Sequence, residues 1–253
     1  MDNATRLQYL HAMGIESWIL HAPASAVSPV SAAQPVLATP APIFSPEPSL
    51  PAPVPKITPV EPPLPAPVVF SDSWQHLQAD VASCQKCPLC QTRTQTVFGS
   101  GNQKATWLFI GEAPGEQEDL QGLPFVGVAG TLLTEMIRAM GLQREQVYIA
   151  NIVKCRPPKN RDPHVEEIVA CQPFLQRQLA LLQPKILVAV GRIAAQQLLN
   201  THEPLAKLRG KVYQFNQIPL LVVYHPAYLL RDLRQKSKAW QDLQVAMKTY
   251  QTI

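Results

Sequence analysis

Gly111-Glu112-Ala113-Pro114-Gly115-Glu116-Gln117-Glu118-Asp119 follows the apolar run Trp107-Leu108-Phe109-Ile110 and leads towards a helix-like stretch at 129–140. A buried strand that ends in a Gly/Pro turn is where an open α/β sheet presents its chemistry, at the carboxyl edge. The turn concentrates carboxylates, and shortly after it comes Pro124-Phe125-Val126-Gly127, an aromatic pinned in a tight setting. Carboxylates beside a held aromatic suit a pocket that stacks a flat ring. A solvated acidic loop is the plainer alternative, and the remaining sequence has to decide between them.

Working outward from that turn, apolar runs at 106–110, 147–152, 185–190 and 220–224 read as strands. Helical patterns fall at 129–140, 163–182, 192–199 and 235–250, and an earlier one covers 73–82 with Ser71 or Asp72 as its cap. Alternation of this kind predicts a mainly parallel sheet covered by helices on both faces. There is no Gly-x-Gly-x-x-Gly or Walker loop, so a nucleotide cofactor is not expected.

Upstream the composition changes. Residues 22–67 hold more than half of the 26 prolines and hardly any charge, as in extended, semi-rigid spacers. The expected organisation is a short peptide (1–21), a Pro-rich disordered linker (22–70) and a catalytic domain (71–253). Within the peptide, Leu7, Leu10 and Met13 fall at helical spacing, Gly14 suits a helix end, and Ile15 and Trp18 follow. Residues 1–70 carry Arg6 and Lys56 against Asp2, Glu16, Glu47 and Glu61, a net of −2. The remainder therefore holds +6 of the total +4. That excess suits a phosphate backbone without requiring one. No run approaches the ~18 apolar residues of a membrane span, and no leader pattern is visible, so a cytoplasmic, nucleoid-associated protein is expected.

In that compartment five cysteines point to metal or catalysis rather than disulfides. Cys84 and Cys87 form a Cys-x2-Cys pair, and Cys155 and Cys171 follow much later. Four thiolates in two groups suit a tetrahedral zinc or an iron–sulfur cluster, and spacing does not separate the two. Cys90 lies near enough to replace a member of the first pair, and free buried cysteines are the plain alternative.

Two more constellations stand at strand ends. Asn151 opens Asn151-Ile-Val-Lys154-Cys155-Arg156-Pro-Pro-Lys159-Asn160-Arg161; its amide pairs a donor with an acceptor, as reading a base edge requires. The cations Lys154, Arg156, Lys159 and Arg161 are placed to hold that edge near phosphates. His225-Pro-Ala-Tyr-Leu-Leu-Arg231 follows the last strand, and a rigidly held imidazole there suits donation to a developing oxyanion. Arg231, Arg234, Lys236 and Lys238 form a basic run read as DNA-binding, against the plainer reading of a solvated helix start.

The ordered set Gly-Glu-Ala-Pro-Gly-x-x-Glu-Asp, Pro-Phe-Val-Gly-x-Ala-Gly, Asn-x-x-Lys-Cys-Arg-Pro-Pro-x-Asn-Arg and His-Pro-Ala-Tyr-Leu-Leu-Arg, with four cysteines between, resembles the family 4 uracil-DNA glycosylases. These are iron–sulfur enzymes of bacteria and archaea, and the resemblance covers roughly residues 73–251. It implies a three-layer α/β/α fold around a central four-stranded parallel sheet. It also implies a 4Fe–4S cluster on Cys84, Cys87, Cys155 and Cys171, with Cys90 spare. Such an enzyme flips deoxyuridine out of single- or double-stranded DNA and hydrolyses the N-glycosidic bond, leaving an abasic site. By resemblance Phe125 stacks on the uracil within a site formed with Gly111 and Ala113, and Asn151 reads the N3–H and O4 edge. His225 donates to O2, Glu112 partners the attacking water or the cation-like sugar, and Asn160 supports the site. Tyr228, Leu229 and Leu230 are the residues available to fill the gap left by the flipped base. Better-known uracil glycosylases carry an aspartate where this chain has Ala113, which shifts the expected catalysis towards leaving-group stabilisation. A covalent-trapping subgroup has a basic insert where Val128-Ala129-Gly130 here runs straight on. The rival class is a replication-associated iron–sulfur DNA-binding module with a degenerate site.

The peptide Arg6-Leu-Gln-Tyr9-Leu-His-Ala-Met13-Gly-Ile-Glu-Ser-Trp18 resembles the N-terminal segment of the bacterial polymerase III psi subunit. That likeness implies docking on the chi subunit through residues 4–20; the enzyme itself is expected to be a monomer.

Overall fold

The computed structural model describes Ala4, Leu7, Gln8, His11 and residues 73–253. Expectations for the Pro-rich linker and for most of the N-terminal peptide fall outside the described residues. Leu7 is helical and packs, half-buried, against one of the two core clusters.

The sheet has six strands. In chain order they are β1 (Ser100–Gly101), β2 (Trp107–Gly111), β3 (Tyr148–Asn151), β4 (Ile186–Val190), β5 (Val212–Phe215) and β6 (Ile218–Val223), with spatial order β1-β3-β2-β4-β6-β5. The central four, β3-β2-β4-β6, are parallel. β1 and β5 close the two edges antiparallel. The expected four-stranded parallel sheet is thus the core of a larger mixed one. β1 is only two residues, and β5 is half exposed and carries no apolar run, so neither announces itself in composition.

The helices are α1 (Trp74–Ala82), α2 (Glu116–Gln121), α3 (Val128–Ala139), α4 (Val165–Leu182), α5 (Arg192–Leu199), α6 (Leu205–Leu208), α7 (Pro226–Arg231) and α8 (Lys236–Gln251). α1 is capped by Ser73, whose Oγ accepts from the His76 amide at 3.1 Å, and not by Ser71 or Asp72. Alternation along the strands makes three layers, because successive side chains point to opposite faces. Leu108, Ile110, Leu187, Ala189, Leu220 and Val222 face one core with α1, α4 and α5. Trp107, Phe109, Ile186, Val188, Leu221 and Val223 face the other with α3 and α8. The central strands are buried on both sides, which is why they read as continuous apolar runs.

Register then aligns the chemistry. Gly111 of β2 pairs with Asn151 of β3, and the pairing continues past the strands as Ile152 N–H donates to Gly111 O at 2.9 Å and Val153 N–H to Glu112 O at 3.1 Å. On the other side Val190 pairs with Val223, so Gly191 and His225 leave the same carboxyl edge.

Candidate active site

A cleft of about 760 Å³ opens at that edge, and its walls include Glu112, Ala113, Phe125, Asn151, Asn160, His225 and Arg231. The sheet register alone brings β2, β3 and β6 residues together. The acidic turn divides into two kinds of carboxylate. Glu118 Oε2 accepts from Gly115 N–H at 3.1 Å, while its Oε1 accepts from Val126 at 2.9 Å and Gly127 at 3.0 Å. Buried Asp119 accepts from Thr94 N–H at 2.9 and 3.0 Å. These two are staples that hold loops, and Glu116 is exposed towards Arg156 at 3.6 Å. Helix α2 thus occupies what reads in sequence as an irregular turn. It is too short for periodicity to reveal.

Glu112 is different. Burial first, and then the nearby Asp162 carboxylate, push its pKa up to about 7, while Arg192 opposes the rise. Arg192 and Asp162 form an ion pair at 2.5 Å on the wall of the cleft. Neither stands out in sequence, because charged residues in a polar loop look solvated. The available signal was position: Arg192 opens the helix two residues past the end of β4, on the same sheet edge that singles out Glu112 and His225.

Phe125 is 7 % exposed and sits in left-handed backbone, φ 52°, which a bulky residue adopts only when its surroundings over-determine it. They do so here. Glu118 holds the two amides that follow, Arg144 Nη2 donates to Pro124 O at 2.6 Å, and a Cβ at Gly130 would stand 1.9 Å from Phe125 O. The Phe125 ring lies 5.7 Å from the His225 ring, at 32°. Gly111 keeps the floor open, since a Cβ there would come within 2.4 Å of Asn151 Oδ1 and 2.7 Å of the Phe125 ring.

Asn151 is 2 % exposed, and its side-chain oxygen is buried with no hydrogen-bond partner. Leaving a buried acceptor unsatisfied costs about 1–3 kcal/mol, so its presence on a cleft wall marks a place for a ligand donor. His225 Nδ1 accepts from Ala227 N–H at 3.2 Å. The ring proton of the neutral form therefore sits on Nε2. Burial, helped by Arg231, pushes the imidazole down to about 4, with Glu118 opposing weakly, so the ring is neutral at pH 7. Asn160 is exposed at φ 54°, and its oxygen accepts from Arg156 Nε at 2.8 Å.

The cations do not behave as a set. Lys154 is fully buried, its ammonium donating to Asn151 O at 2.9 Å and Gln178 Oε1 at 2.6 Å, so it faces no phosphate. Arg161 is taken by Glu167 through two bonds of 2.9 and 2.6 Å. Of the later basic run Arg231 lines the cleft, whereas Arg234 pairs with Asp232 at 3.0 Å. Lys236 lies against a small apolar cavity, and Lys238 is exposed. Among the residues available as a wedge, Leu229 is buried and Leu230 is exposed. Tyr224 and Tyr228, rings 5.1 Å apart, also line the cleft.

Cys84, Cys87, Cys155 and Cys171 converge on one small cavity on the other side of β3's exit, roofed by Val81, Lys86, Ala170 and Phe174. Cys90, in the turn Pro88–Gln91, is not among its walls. Arg93 Nη1 donates to Cys155 Sγ at 3.1 Å, and Lys154 N–H to Cys171 Sγ at 3.2 Å. Burial pushes the Cys171 thiol up to about 11 and raises Cys155 as well, so a bound cation is what would keep them as thiolates. Among the described residues no group of three or more His, Cys, Asp or Glu stands close enough to grip a single metal ion. An all-cysteine set spread around one cavity, with N–H donors to the sulfurs, fits an iron–sulfur cluster better than a lone tetrahedral metal.

Residues 98–244 match the model of the uracil DNA glycosylase superfamily. The chain is 46 % identical to a type-4 uracil-DNA glycosylase of Archaeoglobus fulgidus over 167 residues, 63 % of this chain and 84 % of that one. It is 43 % identical to the type-4 enzyme of Sulfurisphaera tokodaii over 194 residues, 71 % of this chain and 88 % of the relative. Identity to the type-4 enzyme of Saccharolobus solfataricus is 47 % over 168 residues, 63 % and 78 % of the two chains. The chain belongs to the uracil-DNA glycosylase superfamily and, within it, to the type-4 enzymes.

Proposed function

We propose that this uracil-DNA glycosylase binds an extrahelical deoxyuridine in the cleft and hydrolyses its N-glycosidic bond there. The observation that carries the assignment is the buried Asn151 oxygen without a partner. Uracil N3–H supplies the missing donor, and the Asn151 amide N–H meets O4; cytosine would set its amino group against that donor. The uracil ring stacks on Phe125 above the open floor at Gly111. The C1′–N1 bond breaks with its electron pair moving onto uracil, and charge grows on O2. His225 Nε2–H is a neutral donor aimed at that charge, and it stabilises the leaving anion without giving up its proton. Glu112, as a carboxylate, orients the water that adds to C1′ and takes its proton. Ala113 leaves no second carboxylate beside it, so leaving-group stabilisation carries much of the rate. The departing uracil anion takes up a proton from solvent and Glu112 gives up the one it received, so that uracil and an abasic site are the products.

Cys84, Cys87, Cys155 and Cys171 would hold a four-iron cluster. When bound, it supplies a cross-link between the end of α1, the exit of β3 and helix α4. Protein purified anaerobically is expected to be brown, absorbing near ~400 nm with about four irons per chain; a colourless protein with one zinc overturns this. Uracil release from a single-stranded oligonucleotide tests the reaction. Asn151→Ala should reduce release by roughly 10²–10³-fold with DNA affinity largely kept. Iron-loaded wild-type protein that binds DNA yet releases no uracil would favour the binding-module reading instead.

Residues 4–20 we assign to partner docking, with the polymerase III chi subunit as the partner and the enzyme a monomer. Tyr9, Met13 and Trp18 in so short a segment support this, since aromatic anchors concentrate interface energy. A Pro-rich spacer of about 45 residues reaches ~140 Å at full extension. Deleting residues 1–21 should abolish chi capture and leave uracil release unchanged. Leu7 packs on the domain core, and a deletion that destabilises the enzyme would overturn the tether.

A further inference from the structure

Lys154 is the largest charged side chain buried in the domain, at 1 % exposure, and it lies between two sites. Its ammonium donates to Asn151 O at 2.9 Å on the cleft side. Its backbone N–H donates to Cys171 Sγ at 3.2 Å, and the residue forms part of the wall of the cysteine cavity. The third contact is Gln178 Oε1 at 2.6 Å, and Gln178 Nε2 in turn donates to Phe98 O at 2.9 Å, which ties the group to the body of the fold. Lys154 O accepts from Val97 N–H at 2.8 Å, so the main chain is fixed on both sides.

Every acceptor of that ammonium is neutral, and no carboxylate among the described residues pairs with it. A buried cation with neutral partners alone is expensive, and proteins normally place an opposite charge beside it. The opposite charge within reach is the one the sulfurs of Cys155 and Cys171 would carry as cluster ligands. A thiolate-bound iron–sulfur cluster is net negative, because its thiolates and sulfides outweigh its irons. The same side chain holds the carbonyl of the residue whose amide faces the cleft.

We propose that Lys154 is a positioning residue that joins the two sites: its ammonium is the counter-charge of the thiolate-held cluster and, through the Asn151 carbonyl, it sets the base-reading side chain in place. This rests on the cluster and base-reading roles given above, and wild-type iron content and uracil release check those roles without any Lys154 variant.

Two variants of the full-length, iron-loaded chain separate the arms. Lys154→Met keeps the bulk and removes the charge and the donor. Its cluster should have a more negative reduction potential than wild type, since a cation next to a cluster favours the reduced form. Iron release to a chelator should be roughly tenfold faster, and kcat for uracil release should fall roughly tenfold or more with KM little changed. Gln178→Glu leaves Lys154 and its bond to Asn151 O in place but sets a carboxylate against the ammonium. It should shift the potential in the same direction while uracil release stays within about twofold of wild type. A folded Lys154→Met protein with unchanged potential and iron release, or with unchanged kcat, overturns the proposal. If Lys154→Met yields no folded protein, Gln178→Glu decides: a negative shift supports the counter-charge and an unmoved potential overturns it.

Discussion

Asn151 and Cys155 leave the same strand end, yet their surroundings are opposite in kind. On the cleft side a buried polar atom is left without a partner and a bulky aromatic is held in left-handed backbone. On the cysteine side the buried sulfurs of Cys155 and Cys171 each receive a donor from the protein. The difference teaches where to look for chemistry and where for support. An unmet hydrogen-bonding need on a cleft wall is a place for a ligand donor, whereas Gln235 Oε1, also buried without a partner, is not among the cleft's walls. A fully partnered group marks a part of the frame.

The largest effect that would break this contrast is at Cys155. Cys155→Ser should leave the protein without its full iron complement and lower its melting temperature markedly, measured by iron assay and thermal unfolding. Near-normal iron content would mean that the four cysteines are not one ligand set. Next comes His225→Ala, which should slow the chemical step by roughly 10²–10³-fold in single-turnover assays while DNA affinity changes little. A loss confined to affinity would move His225 from the reacting side of the comparison to the framing side.

Glu112 sharpens the contrast through pH. In the proposed reaction it acts as a carboxylate, and burial pushes its pKa up to about 7, above the ordinary 4.5. Uracil release should therefore fall as pH drops through about 7, by up to about tenfold per unit. Stability runs the other way. A raised carboxyl pKa means that the fold favours the protonated form, a contribution fully present below the ordinary pKa and lost as pH rises through about 7. Glu112→Gln should lose activity and the acid limb of the rate profile, yet melt higher than wild type at pH 8. Equal melting temperatures at that pH would show that no stability is sacrificed at this position. The smallest effect is expected at Cys90, which is outside the cysteine cavity; Cys90→Ser should change neither iron content nor uracil release.

Sequence made the central sheet legible because strands buried on both faces must be apolar throughout, and β2, β3, β4 and β6 are. β1 and β5 were not, since edge strands face water and lose that signature. Helices α2, α6 and α7 are too short to show a period. Of the residues that line the cleft, Glu112, Asn151 and His225 were singled out by their places at strand ends and Phe125 by its tight Gly/Pro setting. Lys154 was misread as a phosphate contact because a cation carries no mark of its own burial. Its neighbours Ile152 and Val153, both buried, were the available hint. The Asp162–Arg192 pair was missed for the converse reason: what links it to Glu112 is electrostatic proximity across the fold, which a linear pattern does not carry.

The bond from Ala227 N–H to His225 Nδ1 has an evolutionary consequence. In many enzymes the tautomer of a catalytic imidazole depends on a partner side chain, and any mutation of that partner can scramble it. Here the instruction is written in the main chain, which nearly every codon at position 227 would preserve. Proline is the exception, being the residue that deletes the amide hydrogen. The orientation of the donor is therefore inherited with the turn itself, and sequence drift around His225 can proceed without erasing it.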